Sequence, residues 1–339
     1  MRALVPLRRA FASAAGADKL GAIKRLRERT GAPIVDVKNA LAAHDYDAEA
    51  ALDHLRASGL AAAAKKAHRA SADGVVCATT ARANGAWTCA IAEVNSETDF
   101  VARNETFRAL ARAAATATAT RLDEDAAFAS ECGTIVDGRV TELSEERLGA
   151  MRTTSGKTLG EMARETAVSV RENVRVRRAA AYAATAGSEE VIGTYVHGAL
   201  APGVGRQAAC VVAKGVSVDF ANKLAMHVVA SAPAYLRGDC VPNDVYEREM
   251  AVYRSQTEGS GKPANIVEKI LAGRMNKFYE EVCLENQKFV LDDSVTVGKA
   301  VKAEGGELIA FTRMKVGEGI DVEEKDFASE VAEAVRSTT

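Results

Sequence analysis

The spacing of apolar residues near the start of the chain predicts a small helical module. Over residues 18–60, apolar side chains recur at helical intervals and alternate with a strongly charged face. Gly31 is a stop signal, and Pro33 and Asp47 are residues that commonly begin helices. We therefore expect three helices. So small a unit buries little surface by itself, which is typical of a piece that docks on a larger body.

The period changes after an alanine-rich stretch. Residues 61–73 predict a helical or flexible linker, and beyond them residues 74–80 and 87–94 are rich in β-formers. The Asn84-Gly85 pair between these two runs is a strong hairpin signal. A helical pattern follows at residues 105–116. This order predicts a unit in which a helix packs on an antiparallel sheet.

The same order recurs further along the chain. Residues 191–197 and 207–214 predict a second hairpin, and a helix begins near Asp219. Between the two hairpins, residues 143–173 predict a helix and residues 174–182 a strand. An internal duplication is the simplest account, so the predicted class is α+β. Its two related antiparallel-sheet/helix subdomains are residues 74–182, and residues 183–240 together with 279–325.

Residues 241–278 differ in kind from the rest of the chain. Two helical patterns flank the turn-forming cluster Gly259-Ser260-Gly261-Lys262-Pro263, which predicts an inserted antiparallel helical hairpin. Its apolar side is available for self-association or partner contact, or it packs on the body of the protein. The chain returns to a strand pattern at residues 308–316 and ends in a predicted C-terminal helix at residues 326–339.

Composition removes several classes of function. A length of 339 residues favours more than one folded unit. Lys and Arg number 44 against 46 Asp and Glu, and no long basic stripe is present, which argues against direct nucleic-acid binding. No apolar run approaches the roughly 18 residues of a membrane span. The six cysteines lie far apart without metal-ligand spacing, so we interpret them as reduced core thiols.

The first 17 residues have the composition of a targeting presequence. They contain Arg2, Arg8 and Arg9, and the first acid is Asp18. An arginine-rich segment without acids is typical of import into the mitochondrial matrix, and the scarcity of serine favours mitochondrion over plastid. A frayed N-terminus without targeting function is the alternative.

Enzyme signatures are incomplete wherever they begin. Ser155-Gly156-Lys157-Thr158 resembles the end of a phosphate loop, but Met151 occupies the position of the required leading glycine. The five histidines show no paired spacing, and no serine or cysteine lies in a nucleophile-elbow sequence. The sequence therefore predicts no catalytic residue, no cofactor and no metal site.

The most informative stretch is the polar turn that follows the run at 87–94. Two interpretations of this turn stay open. In the first, Ser96 and Asp99 cap the next helix and Phe100 staples its first turn to the core. In the second, Phe100 is an exposed aromatic wedge beside a carboxylate.

Four separated blocks resemble the signature blocks of elongation factor Ts, in the order of that family, and the similarity covers nearly everything from Leu20 onward. The blocks are Arg25-Leu26-Arg27-Glu28-Arg29-Thr30-Gly31-Ala32, Thr98-Asp99-Phe100-Val101, Tyr195-Val196-His197-Gly198-Ala199 and Val316-Gly317-Glu318-Gly319-Ile320. Two local departures occur. Residues 200–205 enlarge a loop, and Arg171 stands where the family pattern leads us to expect glycine.

The resemblance implies a non-enzymatic guanine nucleotide exchange factor for the GTPase elongation factor Tu. It implies that the first module docks on the GTPase and that the C-terminal helix also grips it. It implies that the tetrapeptide disturbs the magnesium and phosphate site. The residues implied in magnesium dislocation are Thr98, Asp99, Phe100 and Val101, and the further partner contacts are Arg27, Lys38, His197, Gly198, Asp326 and Phe327.

Several of these roles have a local alternative. Asp99 either caps the following helix or pairs with a cation or helix terminus of the partner. His197 is a partner contact or a structural histidine, and the basic face of Lys24, Arg27 and Lys38 is a docking face or a solvated one. A homodimer or a 2:2 complex with the partner would form through the helical hairpin.

Two rival classes deserve comparison. The first module also resembles ubiquitin-associated (UBA) domains, so an adaptor without exchange activity is the main alternative, although it explains only residues 18–60. A small-molecule enzyme of α+β type is a second rival, and it lacks any convergent cluster of titratable residues.

Overall fold

The computed structural model describes residues 19–30, 32–83, 86–124, 128, 135–185, 187–257 and 263–321. Several predicted features lie outside these residues. They are the presequence at 1–17, the Asn84-Gly85 turn, residues 258–262 of the helical hairpin, and the C-terminal helix with Asp326 and Phe327.

Helices and mainly antiparallel strands both occur in the described chain, in keeping with the α+β class. The helices are α1 (19–30), α2 (Ile34–Ala43), α3 (Ala48–Lys66), α4 (Glu105–Glu124), α5 (Glu145–Ala150), α6 (Leu159–Val170), α7 (Val218–Ser231), α8 (Asn243–Thr257), α9 (Ala264–Val282) and α10 (Val297–Ala303). The strands are β1 (Asp73–Ala83), β2 (Ala86–Ser96), β3 (Ile135–Val136), β4 (Arg139–Val140), β5 (Glu142–Ser144), β6 (Arg175–Ala183), β7 (Glu190–His197), β8 (Val204–Gly205), β9 (Gln207–Lys214), β10 (Lys288–Phe289), β11 (Asp292–Thr296) and β12 (Glu307–Lys315).

Helices α1, α2 and α3 form the N-terminal module around a small core of their own. Leu26, Val37 and Leu41 are among its buried residues. Asp47 caps α3, because its carboxylate accepts hydrogen bonds from the backbone N–H groups of Glu49 and Ala50 at 2.9 and 3.0 Å. Helix α3 continues through the alanine-rich residues 60–66, so the first half of the segment predicted as a helical or flexible linker is helical.

Two five-stranded sheets make up the body of the protein. The first has the strand order β5-β6-β2-β1-β8, and the second has the order β3-β4-β12-β9-β7. Strand β2 shows how they stack, because Cys89 and Ile91 lie in the core between the sheets whereas Ala90 and Ala92 lie in the core beneath α4. Both faces of the central strands are therefore buried, with helices covering the outer faces.

The two predicted hairpins are confirmed as antiparallel pairs. Strands β1 and β2 pair from Asp73 opposite Ser96 to Ala83 opposite Ala86. Strands β7 and β9 pair throughout their length, and α7 packs closely on β7. Gly193 permits this approach, since a Cβ atom there would lie 2.1 Å from the carbonyl carbon of Ala221.

Residues 143–173 were expected to be one helix, and that prediction is wrong. The segment begins in strand β5, which pairs with β6, and continues through α5 and a turn into α6. The turn contains Gly156 with φ of +80°, a conformation that interrupts a helix. Pairing with a distant strand and a glycine turn thus override the local helical pattern.

Sheet membership also crosses the predicted subdomain ranges. Strands β3 and β4 fall within residues 74–182, yet β4 pairs in parallel with β12 of the second sheet. Strand β8 falls within residues 183–240, yet it pairs with β1 of the first sheet. These short exchanges join the two halves more closely than an arrangement of separate units would.

Helices α8 and α9 form the helical hairpin, and α9 extends four residues beyond the predicted end at 278. Its base is held by the N–H groups of Ala234 and Tyr235, which donate to the carbonyl of Val282 at 2.9 and 3.0 Å. Met250 and Met275 are buried, whereas Val252 and Ile266 are 43% and 40% exposed.

Among the described residues, every helix is either too short or too polar to span a membrane.

Candidate protein-interaction site

The turn between β2 and α4 presents one aromatic side chain to solvent. Phe100 is 79% exposed, whereas the next residue, Val101, is 6% exposed. A short 3₁₀ turn, Val101–Arg103, fixes the backbone, and the N–H groups of Ala102 and Arg103 each donate to a carbonyl three residues back at 3.2 Å. Val101 therefore anchors the turn in the core while Phe100 stands outside it.

The cap of α4 lies later in the chain than expected. The side-chain oxygen of Asn104 accepts hydrogen bonds from the N–H groups of Thr106 and Phe107 at 2.9 and 3.3 Å. Phe107, which is fully buried, supplies the aromatic contact with the core. The interpretation in which Ser96 and Asp99 cap the helix and Phe100 is its staple is wrong, because the 3₁₀ turn delays the start of the helix.

Thr98 is held by a carboxylate from a distant loop. The Oε2 atom of Glu172 accepts from the Thr98 N–H at 2.9 Å, and its Oε1 atom accepts from the Thr98 hydroxyl at 2.6 Å. In the opposite direction, the N–H of Asn173 donates to Glu97 at 2.7 Å. This reciprocal pairing fixes the backbone immediately before Phe100.

Arg206 lies between the tetrapeptide and the His197-Gly198 pair. The hydrogen bond to Asp73 raises the pKa of Arg206, and the negative charges of Asp73 and Asp99 add to that effect. The N–H of Arg206 donates to the carbonyl of His197 at 2.9 Å. A Cβ atom on Gly198, whose φ is +63°, would lie 3.1 Å from the Arg206 side chain.

A partly exposed ion pair of Arg206 with Asp73 supports this arrangement. Burial on its own would raise the pKa of Asp73, but the hydrogen bonds from Arg206 and from the Gly74 N–H outweigh it and leave that pKa lowered. Asp73 begins β1, opposite Ser96 at the end of β2. The ion pair therefore connects the start of β9, in the β7–β9 hairpin, to the β1–β2 hairpin, which leads into the tetrapeptide.

The remaining predicted contacts lie elsewhere. Arg27 and Lys38 are exposed on α1 and α2 of the N-terminal module. Three large apolar side chains are exposed on the same module: Leu20 (69%), Ile34 (54%) and Val35 (61%). Arg206 thus links His197 to the strands that carry the tetrapeptide, and the module residues form a second surface.

The chemistry that the site offers is contact with another molecule. The exposed groups are an aromatic ring, a carboxylate and an imidazole on a fixed backbone. Within the described ranges, no group of three or more His, Cys, Asp or Glu side chains could hold a metal ion.

Sequence reasoning missed Glu172, which holds Thr98 across 74 positions of the chain. A glutamate in a polar loop has no local pattern that marks it as a support. The one signal nearby was Arg171, whose departure from the family's glycine drew attention to the segment.

Comparison with known proteins gives the family. The family model for Elongation factor TS matches residues 97–318. The mitochondrial elongation factor Ts of Ostreococcus tauri is 68% identical over 338 residues, which cover 100% of this chain and 98% of that protein. The elongation factor Ts of Alcanivorax borkumensis is 41% identical over 93% of this chain and 99% of its own length. That of Rhizobium johnstonii is 38% identical over 93% and 97%, respectively.

The fold, the exposed turn and these similarities together define a translation elongation factor of α+β architecture. More narrowly, the chain belongs to the elongation factor Ts family. Its similarity over the whole chain to a mitochondrial member places it in the mitochondrion.

Proposed function

We propose that this protein is a guanine nucleotide exchange factor that binds elongation factor Tu carrying GDP, disturbs its magnesium and phosphate site, and promotes release of GDP. The observation that carries the proposal is Phe100, 79% exposed on a backbone held at both ends. A large apolar side chain fixed in solvent is typical of a residue that enters a partner's pocket.

The chemistry required is the distortion of a binding site, and no covalent bond is made or broken. A GTPase holds GDP through backbone amides around the phosphates and through a magnesium ion. Burying one aromatic side chain in a partner pocket supplies about 1.5–3 kcal/mol, and each 1.4 kcal/mol changes an equilibrium about tenfold. Phe100 alone would then weaken nucleotide binding by about ten- to a hundredfold, with Asp99 acting on a nearby cation or helix terminus.

Further docking surfaces would supply the rest of the binding free energy. We assign these to the face of the N-terminal module with Arg27 and Lys38, to His197 and Gly198 beside Arg206, and to residues 326–339, where the sequence predicts a helix that contains Asp326 and Phe327. Binding at several surfaces favours the partner conformation that holds nucleotide poorly. In this scheme neither a cofactor nor a catalytic residue of the chain takes part.

The test is stopped-flow release of labelled GDP from elongation factor Tu. The wild type should accelerate release, and Phe100→Ala should slow the catalysed step by roughly ten- to a hundredfold. Val136→Ala is a matched control, because Val136 is 53% exposed and lies on β3 of the second sheet. Equal effects of the two substitutions would contradict the assignment of Phe100.

The alternative is a UBA-like adaptor that binds a partner without exchange. It would rest on the exposed apolar residues of the N-terminal module, Leu20, Ile34 and Val35. An adaptor would bind the GTPase or another protein and leave the rate of GDP release unchanged. The same stopped-flow experiment therefore separates the two functions.

We also propose that residues 1–17 direct import into mitochondria. The segment presents Arg2, Arg8 and Arg9 without an opposing acid. A fusion of these residues to a fluorescent reporter should enter mitochondria, and a fusion with the three arginines replaced by glutamine should stay in the cytosol. Entry of both fusions, or of neither, would contradict the assignment.

A further inference from the structure

Three residues after α6 contact three separate parts of the molecule. Arg171 ends the helix in the left-handed conformation, with φ of 63° and ψ of 24°. Its guanidinium pairs with Asp36 on α2, and its carbonyl accepts a hydrogen bond from Lys66 Nζ at 2.6 Å. Arg171 therefore contacts the second and third helices of the N-terminal module at once.

The next two residues contact the turn that carries Phe100 and the segment that joins α3 to β1. Glu172 accepts both the backbone and hydroxyl hydrogen bonds of Thr98. The side-chain amide of Asn173 donates to the carbonyls of Ala67 and Arg69 at 3.2 and 2.7 Å. Arg171, Glu172 and Asn173 together form the junction between the N-terminal module and the turn that carries Phe100.

The N-terminal module meets the body beside an open cleft. A cleft of about 370 Å³ separates α2 and α3 from the end of α6. The two sides approach closely at Gly59, where a Cβ atom would lie 2.5 Å from Val168 Cγ1, and Ala63 packs against the core of the body. The junction adds polar contacts across the same cleft, next to the exposed ion pair of Arg56 on α3 with Glu165 on α6 at 3.6 Å, and these contacts together fix the angle between the module and the body.

We propose that the junction is a positioning segment, which sets the placement of the N-terminal module relative to Phe100 so that both surfaces engage one GTPase. This inference rests on the proposed exchange function. Glu172 positions Phe100 by holding Thr98, and Arg171 positions the module by holding Asp36. Two surfaces in a fixed relation bind a common partner more tightly than two that must be ordered on binding.

The left-handed backbone conformation of Arg171 supports a positioning role for the junction. A left-handed conformation favours glycine, and the family pattern leads us to expect glycine at this position. An arginine here accepts an unfavourable backbone conformation, and the contact that its side chain gains is the pair with Asp36. Substitution by glycine keeps the turn and removes only that contact.

The first test separates positioning of Phe100 from simple folding. Glu172→Ala should reduce the protection of the Thr98 amide against hydrogen exchange in the chain alone. It should lower the maximal rate of catalysed GDP release by roughly five- to tenfold, since a fixed hydrogen-bonded support is lost. The half-saturating concentration should change little. Glu172→Gln retains one acceptor oxygen for Thr98 and should recover part of the rate.

The second test concerns the module. Arg171→Gly and Asp36→Asn should each raise the half-saturating concentration about two- to fivefold, as expected for an exposed ion pair, with the maximal rate unchanged. The double variant should show no further effect, because the two side chains act as one contact. Glu49→Gln, which removes the partner of Arg29 inside the module, is the matched control and should leave the half-saturating concentration unchanged.

The outcomes distinguish the junction from the function on which it rests. A wild type that fails to accelerate GDP release overturns the exchange function and with it the role of the junction. A wild type that accelerates release, with Glu172→Ala and Arg171→Gly indistinguishable from it, overturns the junction alone. Additive effects of Arg171→Gly and Asp36→Asn would also overturn the coupling assigned to that pair. If Glu172→Ala does not fold, Glu172→Gln decides the first test.

Discussion

Two phenylalanines seven positions apart have opposite surroundings. Phe100 is 79% exposed and Phe107 is fully buried, although both lie close to the start of α4. The difference arises from Asn104, which caps the helix and places the 3₁₀ turn ahead of it. A local pattern predicts that an aromatic residue near a helix start packs inward, but it does not say which of two will do so. The cap decides.

The pair gives a direct prediction about stability. Phe107→Ala should lower the free energy of unfolding by about 3–5 kcal/mol, as for other large-to-small changes in a core. Phe100→Ala should lower it by less than about 0.5 kcal/mol, because an exposed side chain loses little on truncation. Chemical denaturation of both variants measures the difference. A loss of several kcal/mol in Phe100→Ala would make that residue structural and remove the main support for the exchange mechanism.

His227 is a buried histidine that the proposed function does not use. Its Nδ1 accepts the N–H of Val290 at 3.1 Å, and its Nε2 lies 3.0 Å from the side-chain oxygen of Gln287. Burial lowers the pKa of His227 from 6.5, against the opposing effect of the Gln287 hydrogen bond. The neutral ring thus joins α7 to the β10–β11 hairpin.

Replacing His227 with leucine should change both stability and its dependence on pH. At pH 7.5 the variant should be about 1–3 kcal/mol less stable, since Val290 and Gln287 lose a buried partner. Below pH 6.5 the unfolded wild type takes up a proton at His227 more readily than the folded state, so wild-type stability falls toward the folded pKa. The leucine variant has no group at this position that takes up a proton, so it does not lose stability in this way. The difference in free energy of unfolding between the wild type and the leucine variant, measured by urea denaturation, should therefore narrow from pH 7.5 to 5.5. A difference that stays constant would contradict the role assigned to His227.

At the scale of elements, long runs with a clear period could be predicted and short strands could not. The β1–β2 and β7–β9 hairpins were predictable because their runs of β-formers are long and a turn signal separates the first pair. The short strands β3, β4, β5 and β8 were not, because two or three residues carry no period and pair only where distant strands offer an edge. The same reason explains the wrong prediction for residues 143–173.

The helical hairpin of α8 and α9 offers a prediction about assembly. Few of its side chains are buried, and Val252 and Ile266 are exposed. Replacing residues 243–278 with a short flexible linker keeps Tyr279 and the contacts at its base, so the melting temperature of the body should change little. We expect a change in oligomeric state, which would fit a homodimer or a 2:2 complex, or a loss of affinity for elongation factor Tu.

Light scattering and a binding titration on the same preparation separate these outcomes. A change in mass with unchanged affinity at low concentration assigns the hairpin to self-association. Unchanged mass with weaker binding assigns it to the partner. If neither quantity changes, the hairpin contributes to neither interface.

At the scale of the molecule, the recurring order of hairpin and helix could be predicted from the sequence, and the way the two sheets join could not. Each of the two predicted hairpins lies in its own five-stranded sheet, and a helix packs on each sheet. Stacking of the sheets through Cys89, Ile91 and Cys210 has no signature beyond apolar strands on both faces. The candidate site divides in the same way. The tetrapeptide is a local motif, whereas Glu172 and Arg206 reach it through folding alone.

The last prediction belongs to the complex as a whole, because exchange by binding must obey reciprocity. If this protein weakens GDP binding to elongation factor Tu by some factor, GDP must weaken the binding of this protein by the same factor. Four equilibrium titrations close the cycle: each ligand binding to the free GTPase, and each binding when the other is present. We expect equal factors for the wild type, and a factor roughly ten- to a hundredfold smaller for Phe100→Ala.

The Phe100→Ala variant should still bind the nucleotide-free GTPase through the N-terminal module, which lies apart from Phe100 on its own core. An adaptor without exchange activity would give a factor of about one in both directions. That result would leave the fold and family unchanged and replace the proposed mechanism with simple binding.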